Sequence, residues 1–265
     1  MIYAVFEFLG ACMSVSLSAL LAAADGLLAP HNFNDYCPNG LQVGGRPEVH
    51  RIVSGVTASQ ALIEAAIEAR ADAIIVHHGY FWRGEDPCVV GMKRRRLGLL
   101  LAHDISLIAY HLPLDAHPEL GNNIQLAKQL GITVEGGLEP GNPRSVGNIG
   151  VLAAPQSAQD FADHIARVLG RRPLLELGHE RPIRRIGWCT GAAQSYIEKA
   201  AALGMDAFLS GEVSEPTILA ARELGITYIG AGHHATERYG VQALAGTLAA
   251  QFNLQHQFID IDNPA

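Results

Sequence analysis

Two apolar runs in this chain end in paired histidines. One is Ile74-Ile75-Val76-His77-His78-Gly79; the other is Tyr228-Ile229-Gly230-Ala231-Gly232-His233-His234-Ala235-Thr236-Glu237. A strand that runs out into adjacent imidazoles is a poor way to build a core and a good way to hold a metal ion. A lone histidine in such a place is more often a hydrogen-bonded core residue. Two paired clusters at the ends of related strands favour the metal. Glu237 lies four positions after His233, so a helix beginning near His233 sets both side chains on one face, and the carboxylate has two oxygens with which to bridge two ions. His234, one residue on, points elsewhere. Neighbours on a regular strand point to opposite faces. His77 and His78 can therefore share a site only where the strand ends, or else serve two neighbouring ions, and Gly79 supplies the turn. Asp115, in His111-Leu112-Pro113-Leu114-Asp115-Ala116-His117, is the best further carboxylate, with His111 and His117 left as alternatives or as orienting partners. Three imidazoles and two carboxylates are too few for two closed four-ligand sites. They suit two ions about 3.5–4 Å apart that share a carboxylate and keep open positions for metal-assisted hydrolysis. Nitrogen and oxygen donors together fit Zn, Fe, Mn, Co or Ni better than Mg or Ca.

What must position these groups is a repeated α/β unit. A shift of 134 positions aligns RIVSGVTASQALIEAAIEARADAIIVHHG from Arg51 with RIGWCTGAAQSYIEKAAALGMDAFLSGEV from Arg185 without a gap. Arg51 meets Arg185, Gln60 meets Gln194 and Asp72 meets Asp206. Each segment reads strand, polar turn, amphipathic helix, strand, which predicts a parallel pair. Leu62, Ala66 and Ala69 form the apolar stripe of a helix over 59–69. The segments 104–109 and 225–230 extend the likeness as short buried strands. Duplication predicts two related lobes whose strand ends share a cleft, where α/β sheets usually place their sites. Further elements read as a helix after Ser14-Val15-Ser16-Leu17, a strand at 149–152, a helix opened by Ser157 with Asp160, and a helix over 235–252. Gly136-Gly137 and Pro140-Gly141-Asn142-Pro143 form the most linker-like stretch. The expectation is an N-terminal extension over 1–13 and one unit over 14–265, with lobes at about 14–135 and 136–265, intertwined.

The composition fits a packed α/β protein. At 265 residues, 49% hydrophobic and 17% charged, the chain can bury a full core. A net charge of -7 disfavours nucleic acid and anionic membranes as partners. The basic run Lys93-Arg94-Arg95-Arg96 reads as a solvated helix face. Cys12, Cys37, Cys88 and Cys189 are scattered with no CxxC pair, which predicts a reduced, cytoplasmic protein. No P-loop, dinucleotide fingerprint or GxSxG elbow is present.

Five blocks together resemble the GTP cyclohydrolase 1 type 2-like family, also called Ngg-interacting factor 3-like, in its bacterial branch. They are DYCPNGLQV from Asp35, VHHGYFWRGE from Val76, HLPLDAHPELGNN from His111, SGEVSE from Ser210 and GHHATER from Gly232. The resemblance runs from about Ser14 to the C-terminus. It implies a fold of two intertwined α/β lobes with mixed sheets and a metal cleft between them, two divalent ions per chain, and a ring-shaped homohexamer. Carried over residue by residue, it implies His77, His78, Asp115, His233 and Glu237 as ligands. Glu237 would bridge, His78 and Asp115 would serve one ion, and His77 and His233 the other. His234 departs from the aromatic residue common in the family and adds a competing imidazole. The family's name implies a hydrolytic opening of the guanine ring of GTP at C8, with Arg83, Lys93 to Arg96 and Arg238 as candidate cations for the triphosphate. The rival expectation is a non-catalytic metal-binding protein with a regulatory or interaction role.

Overall fold

The computed structural model describes residues 13–265; the segment 1–12, read above as part of an extension, lies outside the described residues. In chain order, β1 (Val15–Ser16) and α1 (Leu17–Leu28) lead to β2 (Gly40–Val43), β3 (Glu48–Val49) and the first repeat unit, β4 (Arg51–Thr57), α2 (Gln60–Glu68) and β5 (Ala73–His78). Helix α3 (Gly91–Ala102), β6 (Ser106–Ala109), α4 (Leu112–Ala116) and α5 (Asn122–Leu130) follow. Next come β7 (Ile132–Gly137), β8 (Asn148–Gln156), α6 (Ala158–Leu169) and β9 (Leu174–Glu176). The second unit is β10 (Ile183–Cys189), α7 (Ile197–Ala202) and β11 (Ala207–Ser210). It continues through α8 (Glu215–Leu224), β12 (Thr227–Gly230), α9 (His233–Thr236), α10 (Arg238–Phe252) and β13 (Gln255–Phe258).

These strands form two mixed sheets. One has the order β13-β4-β5-β6-β2 and the other β7-β8-β10-β11-β12-β9; β1 and β3 make a separate antiparallel pair. The repeat is visible in the register. Ile52 pairs with Ala73 in parallel, as Ile186 does with Ala207, and Ala73 pairs with Ser106 as Ala207 does with Thr227. The aligned aspartates do the same work. Asp72 Oδ2 accepts from the N–H groups of His50 and Arg51, and Asp206 Oδ2 from those of Arg184 and Arg185, at 2.8 to 3.1 Å. Each carboxylate thus satisfies two backbone donors at the start of a strand.

Alternation along the strands divides each sheet between two apolar layers. Ile52, Ile75 and Ile108 pack with α1 and α10, whereas Val53, Ile74 and Leu107 pack with α2 and α3. In the other sheet, Leu209 and Ile229 face the layer of α5 and α6, and Phe208 and Tyr228 face that of α7 and α8. The central strands β4, β5, β6, β11 and β12 are therefore covered on both faces, which explains why they read as continuous apolar runs.

The predicted helix starts are met by side-chain caps: Ser16, Ser59 and Ser157 each accept from the backbone N–H three residues on. Two local features differ from expectation. Gly136 and Gly137 belong to β7, beside an irregularity in its pairing with β8, and the turn falls later. The helix expected over 235–252 is broken at Glu237, whose φ of -110° and ψ of 10° separate α9 from α10. The chain also crosses between sheets. After β12 closes its part of the second sheet, α10 packs on β4, and β13 pairs in parallel with β4 as the edge of the first.

Candidate metal centre

His77 and His78 stand at the last two positions of β5, Asp115 is on α4, and His233 opens α9, which Glu237 closes. The fold brings all five together. His77 Nε2 lies 3.5 Å from Asp115 Oδ1 and 3.6 Å from Glu237 Oε1. On the other side of Glu237, Oε2 lies 3.3 Å from His78 Nε2 and 3.2 Å from His233 Nε2. Two groups with metal-holding spacing result: His77, Asp115 and Glu237, and His78, His233 and Glu237. This pairing differs from the split implied by the family resemblance, which joined His78 to Asp115. The His77 and His78 ring centroids lie only 4.5 Å apart, with His77 buried beside Asp115 and His78 beside His233.

The imidazoles are oriented from behind. His77 Nδ1–H donates to Tyr110 O at 2.9 Å, and His233 Nδ1–H donates to Glu212 Oε1 at 2.7 Å. Each bond leaves Nε2 facing Glu237 as the free donor atom. His78 Nδ1 bonds Thr57 Oγ1 at 3.2 Å. Asp115 Oδ1 accepts from Asn122 Nδ2 at 2.9 Å and from Thr190 Oγ1 at 3.4 Å. Glu212, Thr57, Asn122 and Thr190 were not singled out in the sequence. Glu212 carried a signal, because the 134-residue shift sets it opposite His78.

Of the other histidines, His111 stays beside the cluster: its ring centroid is 5.1 Å from that of His77, it shares metal-holding spacing with His77 and His78, and Asp35 holds its Nδ1 at 2.7 Å, so it remains an alternative ligand or an orienting partner. His117 Nδ1 accepts from the N–H groups of Glu119 and Leu120 and closes a turn. His234 bonds Asp260 at 2.7 Å, away from Glu237, so His233 is the one that reaches the centre. Cys37 lies near Asp35 and His111, but burial and the charge of Asp35 push its thiol up to about 12, a protonated and poor ligand.

Three observations fit the cluster to divalent cations. First, His77 Nε2 and Glu237 Oε2 are buried with no hydrogen-bond partner, a costly arrangement unless an ion satisfies them. Second, space is kept open by Gly191: at φ 67°, a Cβ there would lie 2.1 Å from Glu237 Oε1. Third, the electrostatics call for positive charge. Burial alone would lower His77, yet Asp115 and Glu237 outweigh it and lift it to about 9. His233 is likewise lifted to about 9 against burial, by Glu237 and Glu212. Burial, reinforced by His77 and His233, takes His78 down to about 3 despite Glu237. Protons on His77 and His233 thus occupy the place that cations would take. Beside the cluster opens a cavity of about 700 Å³, lined by His78, Asp115, His233 and Glu237 among others.

Fold and site define a class: a two-sheet α/β protein with a buried His/Asp/Glu cluster where strand ends from its two repeats meet. The chain matches the Duf34/NIF3 (NGG1p interacting factor 3) family model over residues 15–264 and belongs to that family. A relative from Pseudomonas aeruginosa named GTP cyclohydrolase 1 type 2 homolog is 64% identical over 253 residues, covering 96% of this chain and 100% of the relative. One of the same name from Vibrio cholerae is 54% identical over 257 residues, covering 95% and 99%. Among solved structures, protein ybgI, of unknown function, superposes with a TM-score of 0.91 at 50% identity, covering 95% of this chain and 100% of that one. A Thermus thermophilus protein does so at 0.85 and 33%, with the same coverage. No helix among the described residues is long and apolar enough to cross a membrane.

Proposed function

We propose that this protein holds two divalent ions bridged by Glu237, one also bound by His77 and Asp115 and the other by His78 and His233, and that it is a metal-dependent hydrolase of a nucleotide or related small substrate. The observation that carries the reading is the pair of three-residue groups that share Glu237 while two of its neighbours' donor directions converge on otherwise unpartnered atoms. Bound ions would supply Lewis acidity and activate water for hydrolysis. The chain's own part is orientation: Tyr110 O and Glu212 fix the His77 and His233 tautomers, and the adjoining cavity admits a substrate to the open side. The ions belong to the Zn, Fe, Mn, Co and Ni group, on the strength of the mixed nitrogen and oxygen donors. Assembly as a ring-shaped homohexamer, implied by the family resemblance, and a cytoplasmic location, in keeping with the unpaired Cys37, Cys88 and Cys189, are part of the same proposal.

Elemental analysis of the purified protein, followed by a nucleotide screen with the metals found, tests it. About two ions per chain and turnover lost on chelation are expected from the bridged geometry. Hydrolysis that is indifferent to metal stripping would refute the enzyme reading.

A specific observation favours a second reading. The donors come from both sheets' ends, so ions would also tie the lobes together. On that reading chelation lowers thermal stability or disrupts the ring, and no substrate turns over.

A further inference from the structure

The walls of the cavity indicate which part of a substrate they can recognise. They carry three aromatic rings, Tyr36, Trp82 and Tyr196, and three hydroxyls, Thr57, Thr190 and Ser195; among the described residues that line it there is no lysine or arginine. Tyr36 and Trp82 come from loops flanking the first sheet, and Tyr196 from the turn that opens α7 beside the second. Tyr36 is 58% exposed, so its ring fills no core.

Each ring is held by a group outside the cavity lining. Trp82 Nε1 donates to Gly79 O at 3.2 Å, which uses its only polar atom, and its ring meets His111 edge-on at 5.0 Å. The Arg83 guanidinium lies 5.9 Å over the Tyr36 ring, and the Lys199 ammonium 4.0 Å over that of Tyr196. These two cations have protein acceptors already: Asn34 Oδ1 and Asp35 O for Arg83, and Glu139 at 2.6 Å for Lys199. Of the other candidate cations, Lys93 pairs with Glu85, Arg96 lies over Tyr80, Arg238 pairs with Asp260, and Arg94 and Arg95 line a separate surface hollow beside Gln60 and Glu64; none of them lines this cavity. Recognition of a polyphosphate by side chains calls for free cations aimed at it. Aromatic faces instead recognise flat rings, and do so whatever the ring's edge pattern.

We infer that the substrate, on the hydrolase reading given above, is a planar heteroaromatic compound of nucleoside size, gripped between Tyr36 and Trp82 on one side and Tyr196 on the other, with no side chain reading a polyphosphate tail. The rings supply affinity, and the hydroxyls of Thr57, Thr190 and Ser195 supply polar contacts at the edge. A phosphate on the ligand is left to solvent and adds little to its affinity.

Calorimetric titration of the metal-loaded protein with guanosine, GTP and inorganic triphosphate tests this, alongside Tyr36→Ala, Tyr196→Ala and Tyr196→Phe. Guanosine and GTP should bind within about threefold of each other, which is under 1 kcal/mol. Tyr196→Ala and Tyr36→Ala should each weaken guanosine by about fivefold or more, the loss of a stacking partner, at unchanged metal content, and Tyr196→Phe should restore binding. GTP binding more than about tenfold tighter than guanosine, absence of guanosine binding, or binding unmoved in both alanine variants would overturn the inference. Turnover is read separately. Guanosine binding that depends on Tyr196 without any hydrolysis ends the hydrolase reading and leaves the ring clamp. Hydrolysis with an unchanged KM in both alanine variants ends the clamp and leaves the hydrolase.

Discussion

Glu237 is the residue on which the candidate centre turns. It is 3% exposed and touches His77, His78 and His233. Glu237→Ala should reduce bound metal from two ions to one or none by elemental analysis, since both groups lose their shared donor. Glu212→Gln is a subtler test. It keeps the shape but weakens the bond that fixes His233, so metal affinity should fall about 10–100-fold, as is typical for partners behind a ligand, with the fold intact by circular dichroism. The pH response follows from His77 and His233, both lifted from 6.5 to about 9 in the ion-free protein. Groups lifted in this way give their full stabilisation below about pH 6.5 and lose it as pH climbs through 9. His78, held at about 3, is neutral throughout that window and adds nothing to the change. The melting temperature of the ion-free protein should therefore fall between pH 7 and 9.5, while that of the loaded protein stays flat; a flat profile for both would remove the electrostatic account. His77, His78, His233 and Glu237 stand out in the sequence because histidine pairs at strand ends have few other uses; Asp115 was left beside His111 and His117, and the resemblance completed the set. How the five would divide between two ions depends on distances that the spacing does not contain.

At the level of elements, the repeat makes a paired prediction. Asp72 and Asp206 each accept two backbone N–H groups at equivalent strand starts. Asp206→Ala should cost about 1–2 kcal/mol in urea unfolding, the range for stranded donors near the surface. Asp72→Ala should cost more, because Asp72 is more buried and also pairs with Arg46 at 2.8 Å. The repeat was readable because turn and helix residues kept their spacing through both copies. The break at Glu237 was not, since no proline or glycine marks it; Arg238 follows directly. What imposes the break is tertiary: the carboxylate must meet three imidazoles while α10 lies on β4. A related demand falls on Gly191. Gly191→Ala should lower metal affinity more than stability, because the new methyl group would press on Glu237 at 2.1 Å.

For the molecule as a whole, ions joining donors from both lobes would act as a stabilising ligand. At a hundredfold excess over the dissociation constant the gain is about 2.7 kcal/mol, or about 5–10 °C in melting temperature for a chain of this size. Differential scanning calorimetry with and without chelator measures it, and a shift below a degree would argue against a tie between the lobes. Two related α/β lobes were foreseeable from the duplication. That the lobes intertwine was implied by the resemblance; which elements carry the chain's path across was not, because nothing local in α10 or β13 says which sheet they join. That path matters on the ribosome. Strand β4 is made well before its parallel neighbour Gln255–Phe258, which follows it only after the whole of the second sheet. Until then the nascent protein carries one raw border of backbone donors and acceptors, open to pairing with another copy. Stalled or truncated chains should accordingly be the aggregating species, and a slow final step in refolding should coincide with closure of that border.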